Sequence, residues 1–431
     1  MKCKNILFLI AIISICFLEI HIPIHAEHPS ATLIITEPVI VEMIRQINES
    51  LVFSYHNSLM SFGPRYTGSE NCFNAGDWIY ETFNDMGLDT DFHNWNYDGF
   101  SCRNIVVTLP SKEPDSNTQI IMSAHYDCTH DSLGADDDAS GVAAVMATAF
   151  VMKDYSFNHT IKFIAFSGEE VGTYGSFCYA RDAYKNGDNI YAVINVDMIG
   201  YANSTKGGNI LRFHCPGRSW WIGEQSKNYA DIYYRYTNIS VETRPNYIGA
   251  DHQPFIDYGY DGVWIAHHDG YPWANTPEDT PDHLNWTYQL KATKALLGIV
   301  AEFASQPIPI QVMFKSPQEG RGYFFDKPLL PLHLGRQWYA GLRGTTVILG
   351  RTTVTIDIIT DNPIDRVIYC IDNNFIVSLD TAPYNWKLQG KHYPLIGKHT
   401  LQVYAYTEDG DVAIDEMDIR IFTLSWQYGP W

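Results

Sequence analysis

The sequence predicts an α/β domain built on a mostly parallel central sheet with helices on both faces, followed by a smaller all-β sandwich. Three observations carry this. From about Pro38 to Ser305 short apolar runs alternate with helical stretches, the βαβ rhythm of a sheet covered on both sides. Gln306-Pro307-Ile308-Pro309 then breaks the pattern and reads as a linker over 306–312. Beyond it, over 313–425, short strands follow one another at turn signals with no helical window between them.

Taken in order, the first element is an address. Lys2 and Lys4 precede an apolar run from Ile6 to Phe17, and Ile24-His25-Ala26 closes the stretch, so residues 1–26 read as a secretory signal peptide. The run is shorter than the roughly 20 apolar residues of a spanning helix, and no second stretch is long enough, so no stable membrane insertion is expected after cleavage. An uncleaved N-terminal anchor is the alternative. In the 38–305 domain the expected strands are Thr118 to Ser123, Thr160 to Phe166, Tyr191 to Val196 and Gly262 to Ala266. Ala139 to Asp154, Ser176 to Lys185, Ser219 to Tyr229 and Leu290 to Phe303 read as helices. After the linker, strands are expected at Thr345 to Leu349, Thr352 to Ile359, Arg366 to Ile371, Asn374 to Leu379, His399 to Tyr406 and Val412 to Phe422.

Composition narrows the function. The 431 residues carry a formal charge of −20, which repels nucleic acid and anionic membranes. With 45% hydrophobic and 14% aromatic residues the chain is not a disordered one. Beyond residue 26 lie Cys72, Cys102, Cys128, Cys178, Cys215 and Cys370, none in Cys-x-x-Cys spacing, so thiolate metal binding is not expected. An exported chain can pair some of them, and Cys128 reads as a buried or paired thiol. Asn48, Asn158, Asn203, Asn238 and Asn285 each open an Asn-x-Ser/Thr triplet, compatible with export. There is no Gly-x-Ser-x-Gly elbow for a serine hydrolase and no phosphate-binding glycine loop followed by Lys.

Four acidic or histidine clusters fall just past the carboxyl ends of expected strands, where open α/β sheets place their ligands. The first is Ser123-Ala124-His125-Tyr126-Asp127, in which His125 can ligate a metal while Asp127 accepts its other ring hydrogen. The second, Gly134-Ala135-Asp136-Asp137-Asp138-Ala139-Ser140-Gly141, opens a helix; Asp138 suits an N-cap, but three adjacent carboxylates call for a cation as well. The third is Ser167-Gly168-Glu169-Glu170-Val171-Gly172, where adjacent glutamates point in different directions and divide metal binding from general-base work. The fourth is Asp197, at the end of another apolar strand. Each alone also fits an ordinary polar strand end; four in this order do not.

With these motifs the stretch from about Asn104 to Phe303 resembles the secreted co-catalytic zinc exopeptidases, a group that includes bacterial leucine aminopeptidases, aminopeptidase S and glutamate carboxypeptidase. The resemblance implies a metallo-aminopeptidase acting on peptide substrates with two zinc ions. It implies that His125 and Asp197 hold one zinc, Asp137 bridges the two, Glu170 holds the second, Glu169 is the general base and Asp127 supports His125 from behind. One position departs. In Tyr271-Pro272-Trp273-Ala274-Asn275-Thr276-Pro277-Glu278-Asp279-Thr280, Asn275 stands where the family has the histidine of the second zinc. A neutral amide oxygen is a poorer zinc ligand, so a weakened second site is expected, with His267, His268 and His283 as nearby substitutes. Asp251-His252 matches a recurrent family dipeptide and, with Tyr247, is expected to shape the substrate pocket; Tyr258 and Trp264 are further lining candidates. Two other readings stay open: a peptidase-like binding or cell-surface protein without catalysis, and a mononuclear zinc enzyme of the glutaminyl-cyclase type.

The C-terminal strands resemble bacterial and archaeal immunoglobulin-like modules appended to secreted enzymes, through Ile371-Asp372, Ala382-Pro383-Tyr384 and Gly397-Lys398-His399-Thr400-Leu401. The resemblance implies an immunoglobulin-like sandwich; spacer, adhesion and stabilising roles stay open for it, with a cell surface or the catalytic domain as the expected contact. No cluster of catalytic groups falls within it.

Overall fold

The computed structural model describes residues 38–113, 116–216, 219–245, 249–308, 310–331, 346–360, 362–388 and 395–423. The expected signal peptide, 1–26, lies outside them.

Three helices come first: α1 (Pro38–Gln46), α2 (Glu49–Met60) and α3 (Glu70–Asp85). Asn48 caps α2 by accepting from Leu51 N–H, and Ser69 caps α3 by accepting from Cys72 N–H, each satisfying a donor that the first helical turn leaves orphaned. An eight-stranded sheet follows, with spatial order β1-β2-β4-β3-β5-β8-β6-β7. Its centre is β4 (Thr160–Phe166), β3 (Thr118–His125), β5 (Asn189–Val196) and β8 (Gly262–His267), all mutually parallel, and these are the four strands the apolar runs predict.

The flanks were not anticipated. β1 (Asp89–Tyr97) and β2 (Phe100–Leu109) form a hairpin antiparallel to β4, while β6 (Ile210–Cys215) runs antiparallel to β8 and carries β7 (Ser240–Pro245) at the far edge. β1 buries only Thr90 and Trp95, too few apolar positions to announce a strand.

Alternation along the central strands feeds two apolar layers. Ile120, Met122, Ile161 and Phe163 join a large cluster with α4 (Ala139–Met152) and α8 (Trp286–Ser305). Ile121, Ile164, Phe166 and Val193 join a smaller one with Ala180 and Ala183 of α5 (Tyr174–Asn186) and Phe255 of α7 (His252–Asp257). Helices therefore cover both faces. α6 (Trp220–Thr237) adds Ile222 and Tyr233 to the larger cluster. Among the described residues no helix is long and apolar enough to cross a membrane.

The C-terminal region is all β. β9 (Gln311–Ser316), β13 (Thr352–Ile359) and β16 (Trp386–Leu388) make a three-stranded sheet. The second sheet has order β11-β10-β12-β18-β17-β14-β15, from β10 (Arg321–Phe324), β11 (Lys327–Pro331), β12 (Thr346–Leu349), β14 (Ile364–Ile371), β15 (Asn374–Leu379), β17 (Leu395–Thr407) and β18 (Val412–Thr423). Val312, Phe314 and Val354 of the first sheet share one core with Val367, Tyr369, Val403 and Ile419 of the second, which makes the pair a sandwich. β9 starts at Gln311, inside the stretch read as linker. The connection is held from both sides, since Ile308 is buried in the α/β core and Ile310 in the sandwich core.

Candidate metal centre

The carboxyl ends of β3, β4, β5 and β8 face one way, and the acidic clusters meet there. His125 closes β3 and is buried; its Nε2 lies 3.2 Å from Asp137 Oδ1 and 3.8 Å from Asp197 Oδ1. Among the described residues that nitrogen has no hydrogen-bond partner, and neither does the buried Oε1 of Glu170. The Nδ1 side faces Asp127, whose main-chain oxygen at 3.1 Å is nearer than its carboxylate at 3.7 Å. The Asp127 carboxylate has other partners: it accepts from Thr67 Oγ1 at 2.6 Å and from the N–H groups of Glu169 and Glu170 at 3.3 Å each. Asp127 thus ties the glutamate pair to the strand end that carries His125.

The three consecutive aspartates divide their work. Asp138 is the N-cap of α4: its Oδ1 accepts from Gly141 and Met198 N–H and its Oδ2 from His125 N–H. Asp138 offers an oxygen within 4.8 Å of a ring nitrogen of His125 and an oxygen of Asp197, yet both its oxygens are engaged by backbone donors, which leaves Asp137 as the carboxylate aimed at His125. Asp136 accepts from Gly200 N–H at 2.7 Å and meets His267 Nε2 at 3.1 Å. The tightness of the loop has a steric cause. A Cβ on Gly134, whose φ is +62°, would come within 2.5 Å of the Asp137 carbonyl, and one on Gly141 within 2.4 Å of Asp138 Oδ1.

Three contributors had no reading in the sequence. Asp279, fully buried, accepts from Asp136 N–H at 2.9 Å, Asp137 N–H at 3.2 Å and Tyr271 O–H at 2.6 Å. Arg65 is also fully buried and donates to the carbonyls of Tyr126, Leu133 and Gly134, stitching the His125 strand end to the aspartate loop. Thr67 holds Asp127, as above. Asp279 lies in the Tyr271 to Thr280 stretch that carries Asn275; Arg65 and Thr67 sit in no motif.

Electrostatics follow from crowding. Burial raises Glu169 far above the carboxylate range and Glu170 to about 9, with neighbouring carboxylates adding to both. Asp137 is raised by burial and by Asp197. Burial would lower His125, but Asp127, Asp137 and Asp197 overcome it and raise the imidazole. An imidazole nitrogen and several carboxylate oxygens converging in a buried cluster are donors that zinc binds, and a divalent cation would offset the repulsion behind these shifts.

Other expected site residues fall as follows. Asp251 is buried beside the cluster, accepts from Ser176 Oγ at 2.5 Å, and burial pushes it to about 7. His252 is buried, and burial lowers it to about 3, so it is neutral. Tyr247 lies outside the described residues. Trp264 donates its indole N–H to the Asp197 carbonyl at 3.2 Å. Tyr258 is a correction: it lines a groove with Asn117 and Asn189 at the amino ends of β3 and β5, the opposite end of the sheet. Asn275 is exposed with φ +60°, and its side chain hydrogen-bonds none of the described residues. Of the candidate substitutes, His267 meets Asp136, His268 meets Glu242 and Asp269, and His283 stacks on Trp273 at 3.7 Å.

Residues 104–300 match the family model described as Peptidase family M28. Residues 104–300 belong to the M28 peptidases. Relatives of the M28 domain include leucine aminopeptidase 1 of Fusarium vanettenii, 27% identical over 277 residues that span 57% of this chain and 67% of the relative. A probable zinc metalloprotease of Pyrenophora tritici-repentis is 27% identical over 333 residues, 62% of this chain and 76% of the relative. Among solved structures, LapB from Legionella pneumophila has a TM-score of 0.56 at 23% identity, over 63% of this chain and 76% of that one. BSAP, a zinc aminopeptidase from Bacillus subtilis, has a TM-score of 0.54 at 16% identity, over 60% and 96%. At these identities the structures establish the fold of the M28 domain.

Proposed function

We propose that this M28 peptidase is an exported zinc aminopeptidase that removes N-terminal residues from peptides. The observation that carries the reading is the buried His125 Nε2, without a hydrogen bond and faced by Asp137 and Asp197, with the Glu169-Glu170 pair tethered beside it through Asp127. His125 and Asp197 would hold one zinc, with Asp137 between it and a second ion on Glu170. Asn275, exposed and neutral, would add little to a second ion, which would then be held weakly. Bound zinc supplies Lewis acidity, polarising the scissile carbonyl and making water a nucleophile near neutral pH. Glu169, tethered beside the cluster, would take the proton from that water and pass it to the leaving amine. Asp127 holds Glu169 in place through the backbone, and Asp251 sits close enough to raise it further. Export rests on the signal-peptide pattern of residues 1–26, and the sandwich, immunoglobulin-like in its strand pattern, serves as a module fastened to the catalytic domain.

The test is hydrolysis of a panel of aminoacyl chromogenic amides with zinc, cobalt or manganese, with Glu169→Gln alongside. Metal-dependent turnover that falls by about 10² to 10⁴ in Glu169→Gln while zinc stays bound is the expected result. A folded, zinc-loaded protein that turns over no substrate with any metal would favour a peptidase-like binding protein instead.

A further inference from the structure

We propose that Cys72 and Cys102 are joined by a disulfide bond that fastens α3 to β2 directly behind the metal centre. Their sulfurs already touch at 3.7 Å, and both side chains are buried. Cys72 stands in the first turn of α3, where its N–H is fixed by the Ser69 cap, so the thiol is held over the strand by the helix start. Cys102 follows from β2, which pairs with β1 on one side and β4 on the other and is equally fixed. A disulfide needs about 2.05 Å between sulfurs, so closure asks for roughly 1.7 Å of approach.

Among the described residues no other pair of cysteines stands this way. Cys128 Sγ accepts from Arg65 N–H and donates to the Ser132 carbonyl, and Cys215 Sγ donates to the Phe213 carbonyl. Cys178 and Cys370 contact no other sulfur. The surroundings also favour exchange. Hydrogen bonding from Cys72, joined by Ser167 and Tyr126, lowers the Cys102 thiol, whose sulfur also stands 3.7 Å from the Tyr126 hydroxyl.

The oxidant is a disulfide of the exported compartment, such as oxidised glutathione or an active-site disulfide of a thiol oxidoreductase. As the chain folds, the Cys102 thiolate attacks one sulfur of that disulfide and expels the other as a thiolate, giving a mixed disulfide. Cys72, once deprotonated, attacks the Cys102 sulfur and expels the second thiolate. The two protons released by the cysteines are taken up by the two leaving thiolates, so two thiols are oxidised and one disulfide is reduced.

The bond has a structural consequence. Tyr126 lies between His125 and Asp127; its hydroxyl donates to the Arg103 carbonyl at 2.7 Å, stands 3.7 Å from Cys102 Sγ and packs against Gly76 of α3. A covalent tie from α3 to β2 closes this packing beneath the residues that meet the metal.

The test is peptide mapping of the full chain after refolding in an oxidising glutathione buffer, with thiols alkylated under denaturing conditions and no reductant. A fragment containing Cys72 joined to Cys102, 2 Da lighter than its separate thiol peptides, with Cys128, Cys178, Cys215 and Cys370 alkylated, is expected. Added dithiothreitol should lower the melting temperature by about 5 to 10 °C in the native chain and leave Cys102→Ala unmoved. Alkylation of both Cys72 and Cys102 in the folded, oxidised protein, or a bond from either to another cysteine, overturns the proposal. Mapping the native chain needs no variant, so its outcome decides the matter even where Cys102→Ala folds poorly.

Discussion

Asp279→Asn isolates what the tertiary fold contributes to the metal centre. The carboxylate holds two consecutive backbone N–H groups, those of Asp136 and Asp137, and the hydroxyl of Tyr271. Asparagine is nearly isosteric but has one acceptor oxygen. If that oxygen stays near Asp136 N–H and Tyr271 O–H, the amide NH₂ faces the Asp137 N–H, donor against donor. A hydrogen bond to a charged group is worth about 1.5–3 kcal/mol, and the loss falls on the residue assigned to sit between the metal ions. About 2 kcal/mol corresponds to roughly 30-fold, inside the 10–100-fold range typical of residues that orient metal ligands. The assay is competition for zinc against a chromophoric chelator, with amide hydrolysis measured at saturating zinc. Tyr271→Phe, which leaves both backbone N–H groups on the carboxylate, should cost less. Zinc affinity and turnover within about threefold of the native chain in Asp279→Asn would refute the claim that this carboxylate positions Asp137.

Two further outcomes are expected. Asn275→His should raise bound zinc, measured by metal analysis after dialysis at limiting zinc, from about one ion per chain toward two. Histidine tolerates the left-handed backbone at this position better than most residues, so little strain should accompany the change. An unchanged stoichiometry would mean that the exposed loop does not reach the centre. His56 is buried with its Nε2 on the Ala135 carbonyl at 2.8 Å, and burial lowers it from 6.5 to about 4. The unfolded chain takes up this proton first, so stability present above pH 6.5 should be lost as pH falls to about 4, by about 3 kcal/mol. His56→Gln, which keeps a donor to Ala135, should flatten that part of a denaturant-unfolding pH profile; an equally steep profile would remove His56 as its source.

The four central strands were legible because each is a continuous apolar run closed by an acidic or histidine cluster, and a parallel sheet buried on both faces demands that pattern. The capping role of Asp138 was legible for a local reason too, since a helix N-terminus and its cap lie within a few residues. The edge strand β1 was not, because a half-exposed strand carries no strict alternation. β9 was hidden by the prolines before it, which mark a break in the chain without showing how soon pairing resumes.

By itself, then, the sequence determined which residue types gather at the ends of the central strands, and so the kind of chemistry that can occur there. The tertiary structure decided what each does. Asp127 turned out to hold the backbone of Glu169 and Glu170, Asp138 to be spent on N–H groups, and Arg65 and Asp279 to build the loop that presents Asp137. Asp279 lies 143 residues from Asp136 and Arg65 lies 68 from Leu133. Their partners are main-chain atoms, which every residue possesses, so contacts of this kind leave no signature of residue type or spacing and exist only once the chain has folded.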